Sequence, residues 1–263
     1  MRLKITHKTE YLYDQPNAYA LQRLRLIPTE GHSQRVLDWS LEVSGATEEA
    51  GYTDGFGNVT RLFSVDPGET VLSATATGVI ETVDRSGVSG PHRGYTPLWL
   101  FRQETALTKA GDAIKTLASD VPAGAPLQRM HALLQLIVER VAYEKGSTTV
   151  ATTAEEAAAK AAGVCQDQAH IFASAARLLE VPARYVSGYL MSDSDDHAAS
   201  HAWAEVHIEG LGWVAFDPAN GISPDERYVR LAVGRDYNDA SPVSGFRLGE
   251  AAERLEVHVT VEQ

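Results

Sequence analysis

Apolar residues recur at every second position in short runs of the first ninety residues, and at every third or fourth position over much of the next ninety. That change of period predicts a β-rich front joined to a mixed helical and sheet rear, because strands present one face every two residues and helices every 3.6. At the front, Arg2 to Tyr13 reads as a strand with Leu3, Ile5, Tyr11 and Tyr13 in phase, and Val36 to Val43 puts Leu37, Trp39, Leu41 and Val43 on one face. Asp54-Gly55-Phe56-Gly57-Asn58 is a dense turn cluster that predicts a hairpin, and Thr70 to Val83 is rich in residues that suit a half-buried pleat. Short strands at this spacing point to a small β-sandwich over residues 1–90. Ser86 to Pro91 reads as a linker into a second domain, 91–263.

Helical signals follow. Ala106 to Leu117 and Leu127 to Val141 carry apolar residues three and four apart. Thr153 and Glu156 form a capping-box pattern at the head of an Ala-rich run to Ala162, with Gly163 expected to end it. Cys165 to Glu180 fits a helix with Phe172, Ala175 and Leu179 on its apolar face, stopped by Pro182. Ala183 to Leu190 reads as a strand, Ser192 to Ser200 as a polar loop with its acidic run at 193–196 solvated, and His201 to Glu209 as a strand of clean alternation. Gly210-Leu211-Gly212 then turns the chain into Trp213 to Phe216, ahead of Asp217-Pro218. The expected class is therefore α+β.

The chain of 263 residues carries a net charge of −12 with no cluster of Lys or Arg. Nucleic acid and anionic membrane surfaces need concentrated positive charge, so neither is expected as a partner. The single cysteine cannot form an internal disulfide. Neither a signal-peptide pattern nor a run of about 20 apolar residues is present, so a cytoplasmic location is expected.

By its position, that single cysteine is the candidate source of chemistry. Cys165 heads a helix, where unpaired backbone N–H groups and the positive end of the dipole favour a thiolate over a thiol. His201 opens a strand and points away from that strand's apolar face, as a base facing a cleft would. Asp217 closes the next strand, and a hairpin brings it back beside His201. Register decides whether the two share a face. A two-residue loop would set Asp217 opposite Ala204, on the wrong side, whereas an odd loop such as Glu209 to Leu211 sets it opposite Trp203, on the side of His201. An odd loop or a bulge is therefore expected. Nucleophile, base and orienting acid then each stand at the end of their own element.

The runs Gly163-Val-Cys-Gln-Asp-Gln-Ala-His170, Val181-Pro-Ala-Arg-Tyr-Val-Ser-Gly188, His201-Ala-Trp-Ala-Glu-Val206 and Gly212-Trp-Val-Ala-Phe-Asp-Pro218 resemble the transglutaminase-like cysteine-enzyme superfamily. Gly234-Arg-Asp-Tyr237 is similar to its bacterial subgroup with an added N-terminal β-domain. The resemblance implies a papain-like core, in which a helix carrying the cysteine packs on an antiparallel sheet carrying the other two residues. It places the family's triad on Cys165, His201 and Asp217. It also implies an enzyme acting on peptide or glutamine amides through a thioester acyl-enzyme, with no cofactor. Hydrolysis is preferred to amine transfer, since no acceptor site is evident. A peptide or protein substrate is the expected partner, and the oligomeric state is open.

The Cys165 backbone N–H is an expected oxyanion donor. A papain-type glutamine six residues earlier is missing, since Ala159 stands there, and Tyr143 is a candidate from the family pattern. Asp167 is read as structural or substrate-positioning, Trp203 and Trp213 as wall or core, and His170 as a core histidine. Asp236 and Arg235 either line the cleft or form a loop ion pair. Two rival readings remain: a metal site at Cys165, His197 and His201, which lacks the helix and the glutamate that such a histidine spacing needs, and a non-catalytic interaction module on the same fold.

Overall fold

The computed structural model describes residues 1–15, 19–191, 200–248 and 252–263. The first seven strands are β1 (Arg2–Tyr13), β2 (Tyr19–Ile27), β3 (Gln34–Ser44), β4 (Ala46–Thr53), β5 (Val59–Val65), β6 (Val71–Thr82) and β7 (Val88–Gly90). Then come α1 (Asp112–Ser119), α2 (Pro126–Arg140), β8 (Ala142–Tyr143), α3 (Ala154–Lys160), β9 (Ala162–Gly163) and α4 (Cys165–Leu178). The chain ends with β10 (Ala183–Leu190), β11 (Ser200–Ile208), β12 (Gly212–Phe216), β13 (Tyr228–Gly234), α5 (Tyr237–Ala240), β14 (Val243–Leu248) and β15 (Glu253–Glu262).

Two four-stranded sheets, ordered β15-β1-β6-β3 and β14-β2-β5-β4, form the β-rich front. Alternation explains the packing: Leu3 and Ile5 of β1 and Ala74, Ala76 and Ile80 of β6 are fully buried against Leu24 and Leu26 of β2. The hairpin expected at residues 54–58 joins β4 to β5, and Asp54 builds it by accepting the backbone N–H groups of Phe56 and Asn58 at 3.0 Å. The sheets cross the boundary expected at residue 90. β15 pairs with β1 over ten positions and β14 with β2 over six, so the last strands of the chain complete the first layer pair. The stretch expected as a linker forms β7, the outer strand of the other sheet, beside β12.

In β3 the register shifts between Val36 and Asp38. Leu37 is the extra residue of this bulge and is exposed, while Val36 packs on the core with Trp39, Leu41 and Val43. The first helix begins at Asp112 instead of Ala106, since Thr105 and Thr108 bond each other in a turn that competes with helix. The capping box of α3 is present, but the helix ends at Lys160 with Ala161 in the left-handed region at φ 56°. Gly163 has a different reason to lack a side chain: a Cβ there would lie 2.6 Å from the Cβ of Asp167.

The rear of the molecule is a five-stranded antiparallel sheet, β13-β10-β11-β12-β7, with α4 packed on one face. Ile171, Phe172, Ala175 and Ala176 of α4 meet Ala204, Val206, Val214 and Phe216, while α1, α2 and α3 cover the rest of the helix. Enclosed on all sides, α4 even buries Arg177, which is satisfied by the carbonyls of Phe101, Ala183 and Arg235 and the hydroxyl of Thr108. The free edge of β13 is closed by two amide side chains from the front sheets. Gln34 accepts from the N–H and donates to the C=O of Arg230, and Asn58 does the same for Val233, all at 2.8–2.9 Å. They replace a missing neighbour strand and fasten the two halves together. No helix among the described residues is long and apolar enough to cross a membrane.

Candidate active site

Cys165 is the first residue of α4 and is partly exposed. The helix starts where it does because the Asp167 side chain folds back and accepts the backbone N–H of Val164 at 2.7 Å and the Thr148 hydroxyl at 2.6 Å. His201 lies near the start of β11, opposite Gly188 of β10. β11 and β12 pair as Ala204↔Phe216 and Val206↔Val214, and the connection is Glu209, Gly210 and Leu211, an odd loop. Gly210 and Gly212 take φ of 83° and 82°, which makes so tight a return possible. One step beyond Phe216, Asp217 therefore falls level with Trp203, on the face of His201. His201 Nε2 stands 2.7 Å from Asp217 Oδ2, and the same imidazole lies close enough to Cys165 for the sulfur to bear on its charge. The three residues singled out in the sequence thus meet at one point.

Asp217 is wholly buried and heavily solvated by protein. Its Oδ2 accepts from the Tyr228 hydroxyl and the Asn220 side-chain amide, each at 2.7 Å, and Oδ1 accepts from the Ala219 backbone N–H at 3.0 Å. Burial pushes this carboxyl up, but His201, Asn220 and Tyr228 outweigh burial and hold it below the usual carboxylate range. Burial pulls His201 down in turn. The hydrogen bonds to Asp217 and Cys165 and the charges of both override it and raise the imidazole from 6.5 to about 10. The arrangement favours an imidazolium beside the sulfur.

The other candidate residues are placed around this point. Trp203 is buried under the site, stacked at 6.3 Å on His201 and edge-on at 5.5 Å to Tyr228. Its ring passes so close to β10 that a Cβ on Gly188 would lie 2.5 Å from it. Asp167 is buried in its capping role, and Asp236 caps α5 by accepting from Asn238 and Asp239, so neither lines the cleft. Arg235 forms a loop ion pair with Asp239 at 2.7 Å. Trp213 is core. His170 is buried, accepts from the Tyr237 backbone N–H at 3.0 Å, and is lowered to about 3 by burial and Arg177. Tyr143 is half exposed in β8, opposite Gly163 of β9, and is raised by burial and by the charges of Cys165 and Asp217.

Two supports of Asp217 were not expected. Asn220 follows from the Asp-Pro-Ala-Asn spacing, an Asx-type turn that could have been read from the sequence. Tyr228 had no local signal, because it arrives from the next long connection.

A cleft of about 310 Å³ opens over Cys165 and His201. Its near wall is Val164, Tyr185 and Tyr237, and its far wall comes from the front sheets. The register of β1 on β15 places Tyr11 with Leu255, Thr9 with Val257 and His7 with Val259 on one face. The buried face of β1 is apolar at Leu3 and Ile5 and becomes polar at His7 and Thr9, where it reaches the cleft. His7 joins the Tyr189 hydroxyl at 2.8 Å and the Thr9 hydroxyl at 3.0 Å, and burial lowers it to about 4. The β-rich front thus supplies one wall of the cleft.

His197 of the rival metal reading lies outside the described residues, as do the acidic residues 193–196. Among the described residues, no group of three or more His, Cys, Asp or Glu side chains is set to hold a metal ion.

Residues 115–218 match the family model of the Transglutaminase-like superfamily, and residues 3–81 match that of the bacterial transglutaminase-like N-terminal region. An uncharacterized protein of Mycobacterium leprae is 29% identical, over 99% of this chain and 98% of its own length. An uncharacterized protein of Mycobacterium tuberculosis is also 29% identical, over 93% of this chain and 87% of its own. Among solved structures, that of a candidate cysteine protease from Cytophaga hutchinsonii has the same fold, with a TM-score of 0.80 at 24% identity, over 100% of this chain and 90% of that one.

Proposed function

Starting from a chain that carries a transglutaminase-like core behind a bacterial transglutaminase-like N-terminal region, we propose that it is a thiol enzyme that hydrolyses amide bonds of peptides or glutamine side chains. The observation that carries this reading is the bonded pair of His201 and Asp217 set beside Cys165, which heads a buried helix and opens to a cleft.

With Nε2 held by Asp217, Nδ1 is the imidazole nitrogen left to serve the sulfur. The Cys165 thiolate attacks the carbonyl carbon, forming a C–S bond and moving the C=O electron pair onto oxygen. The Cys165 backbone N–H, free at the helix start, donates to that oxyanion. Collapse breaks the C–N bond as the His201 imidazolium gives its proton to the departing nitrogen, leaving a thioester and a neutral imidazole. Water then attacks the thioester, His201 takes its proton, and the thiolate leaves with the acid as product. Asp217 keeps the tautomer and the imidazolium charge in place throughout, and Asn220 and Tyr228 hold Asp217.

The test is intact-mass detection of an acyl adduct on Cys165 during turnover of a peptide and glutamine-peptide library, with products formed in ¹⁸O-water. An adduct absent from Cys165→Ser, and ¹⁸O in the released acid, are the expected results. Capture of the acyl group by an added amine in preference to water would replace hydrolysis with transfer. No adduct from any substrate, together with alkylation of Cys165 no faster than that of a free thiol, would sink the enzymatic reading in favour of an interaction module.

A further inference from the structure

A second pocket, of about 240 Å³, lies on the face of the central sheet that α4 does not cover, and it shares no lining residue with the cleft at Cys165. It sits in the seam between the two halves. The edge of β13 at residues 230–233 meets the loop at residues 29–32, the turn at 56–58 and the segment around Pro91 to Gly94. The volume falls below the range typical of drug-sized ligands and suits a small ion or metabolite.

Three arginines converge there in a chain whose net charge is −12. Arg184 is buried, lies 4.1 Å over the Trp213 ring and gives its Nε–H to Glu205 Oε2 at 2.6 Å. Glu205 is buried too, and its other oxygen takes the Ser89 hydroxyl at 2.6 Å. Glu205 is thus already matched before Arg230 is considered. Arg230 Nη1 stays 3.9 Å from Glu205 Oε1, beyond hydrogen-bonding distance. Its side chain is only 17% exposed, yet among the described residues its guanidinium donates no hydrogen bond. The backbone beneath it is fixed on both sides by Gln34, and Gly31 leaves room for the head, since a Cβ there would lie 2.8 Å from Nη2. Arg93 stands exposed at the mouth. Against these, Glu30 at the rim is exposed and gives one oxygen to the Val36 N–H at 3.0 Å. Three arginines against Glu205 and Glu30 leave one positive charge in excess. A guanidinium fork with no hydrogen-bond acceptor in a concave, partly desolvated site is unfavourable until an acceptor arrives.

We propose that this pocket is a binding site for a small oxyanion, a phosphate or carboxylate group gripped by the Arg230 fork, with Arg184 and Arg93 supplying the remaining charge. A planar fork pairs two oxygens of either group at once, which chloride cannot match. The site is independent of the thiol chemistry proposed above.

The probes are sodium phosphate and sodium acetate, each exchanged for sodium chloride at constant ionic strength, with thermal unfolding and calorimetric titration as readouts. Wild type and Cys165→Ala should both melt higher in at least one of the two oxyanions than in chloride. Arg230→Gln should lose that increment and bind the same anion at least about tenfold more weakly. Should Arg230→Gln not fold, Arg93→Gln, an exposed position, serves instead and should weaken binding several-fold. A response to phosphate alone assigns a phosphate group, and a response to acetate alone assigns a carboxylate. Equal melting of wild type in chloride, phosphate and acetate overturns the proposal, as does a full oxyanion response in both arginine variants.

Discussion

Asp217→Asn tests the electrostatics of the site most directly, because it keeps the shape of the side chain and removes its charge. The imidazole of His201 is raised from 6.5 to about 10 although burial opposes it. At about 1.36 kcal/mol per pH unit, that net rise corresponds to ~5 kcal/mol in favour of the imidazolium, and Asp217 and Cys165 together supply this and offset the cost of burial besides. An asparagine offers no charge. It also brings N–H donors to a spot where Tyr228, Asn220 and Ala219 already donate. With the carboxylate gone, burial is opposed by the sulfur alone, and the imidazole falls back toward or below its ordinary value. A folded-state value raised above the unfolded one contributes stability that is complete below pH 6.5 and is lost as the pH climbs through about 10. Wild type should therefore lose stability steadily from about pH 7 to 10, and Asp217→Asn should show a much flatter limb over the same range. The matching chemical readout is the rate at which iodoacetamide modifies Cys165. In the variant that rate at neutral pH should fall at least about tenfold, since the positive charge held beside the sulfur is lost. Chemical denaturation at half-unit pH steps and mass-resolved alkylation would measure both. Superimposable stability–pH curves and equal alkylation rates for the two proteins would refute the ion-pair description.

Tyr228→Phe removes one donor from Asp217 while keeping the ring against Trp203 and His201, and should cost about 1–3 kcal/mol of stability and slow alkylation of Cys165; unchanged values would remove Tyr228 from the support of the site. Gly188→Ala should be severe, because its Cβ would meet the Val229 carbonyl oxygen at 2.2 Å and the Trp203 ring at 2.5 Å; a variant within 1 kcal/mol of wild type by denaturation, or with full alkylation reactivity, would contradict so tight a fit. Asn58→Ala leaves the buried N–H and C=O of Val233 unpaired and should cost about 2–5 kcal/mol in urea unfolding, whereas a surface-like cost below 0.5 kcal/mol would mean that the amide clamp does not hold the halves together.

Wherever a local pattern carried the information, the sequence was legible. Alternation marked β1 and β11, and residue type marked β6, each nearly to the residue, and the requirement that Asp217 share a face with His201 called for an odd hairpin loop or a bulge, of which the odd loop is formed. The head of α4 was legible from Gly163-Val164-Cys165 and the carboxylate at position 167, and the three residues of the candidate site came from their places at element ends. Period and capping act over a few residues, and so can be read without knowing the neighbours.

Which strand lies beside which was decided only in three dimensions. Alternation tells a strand which face to bury but not what pairs with its edge, so nothing local announced that β14 and β15 return to β2 and β1, or that the stretch at residues 86–91 becomes the outer strand beside β12. The same limit hid Tyr228 beneath Asp217, the Gln34 and Asn58 clamps on β13, and the cleft wall formed by β1. Each of these joins residues far apart in the chain through hydrogen bonds and packing that exist only once the sheets have met. The chain's own order thus singles out Cys165, His201 and Asp217 as the candidate site, while the burial and partners that set the charges of His201 and Asp217 belong to the assembled fold.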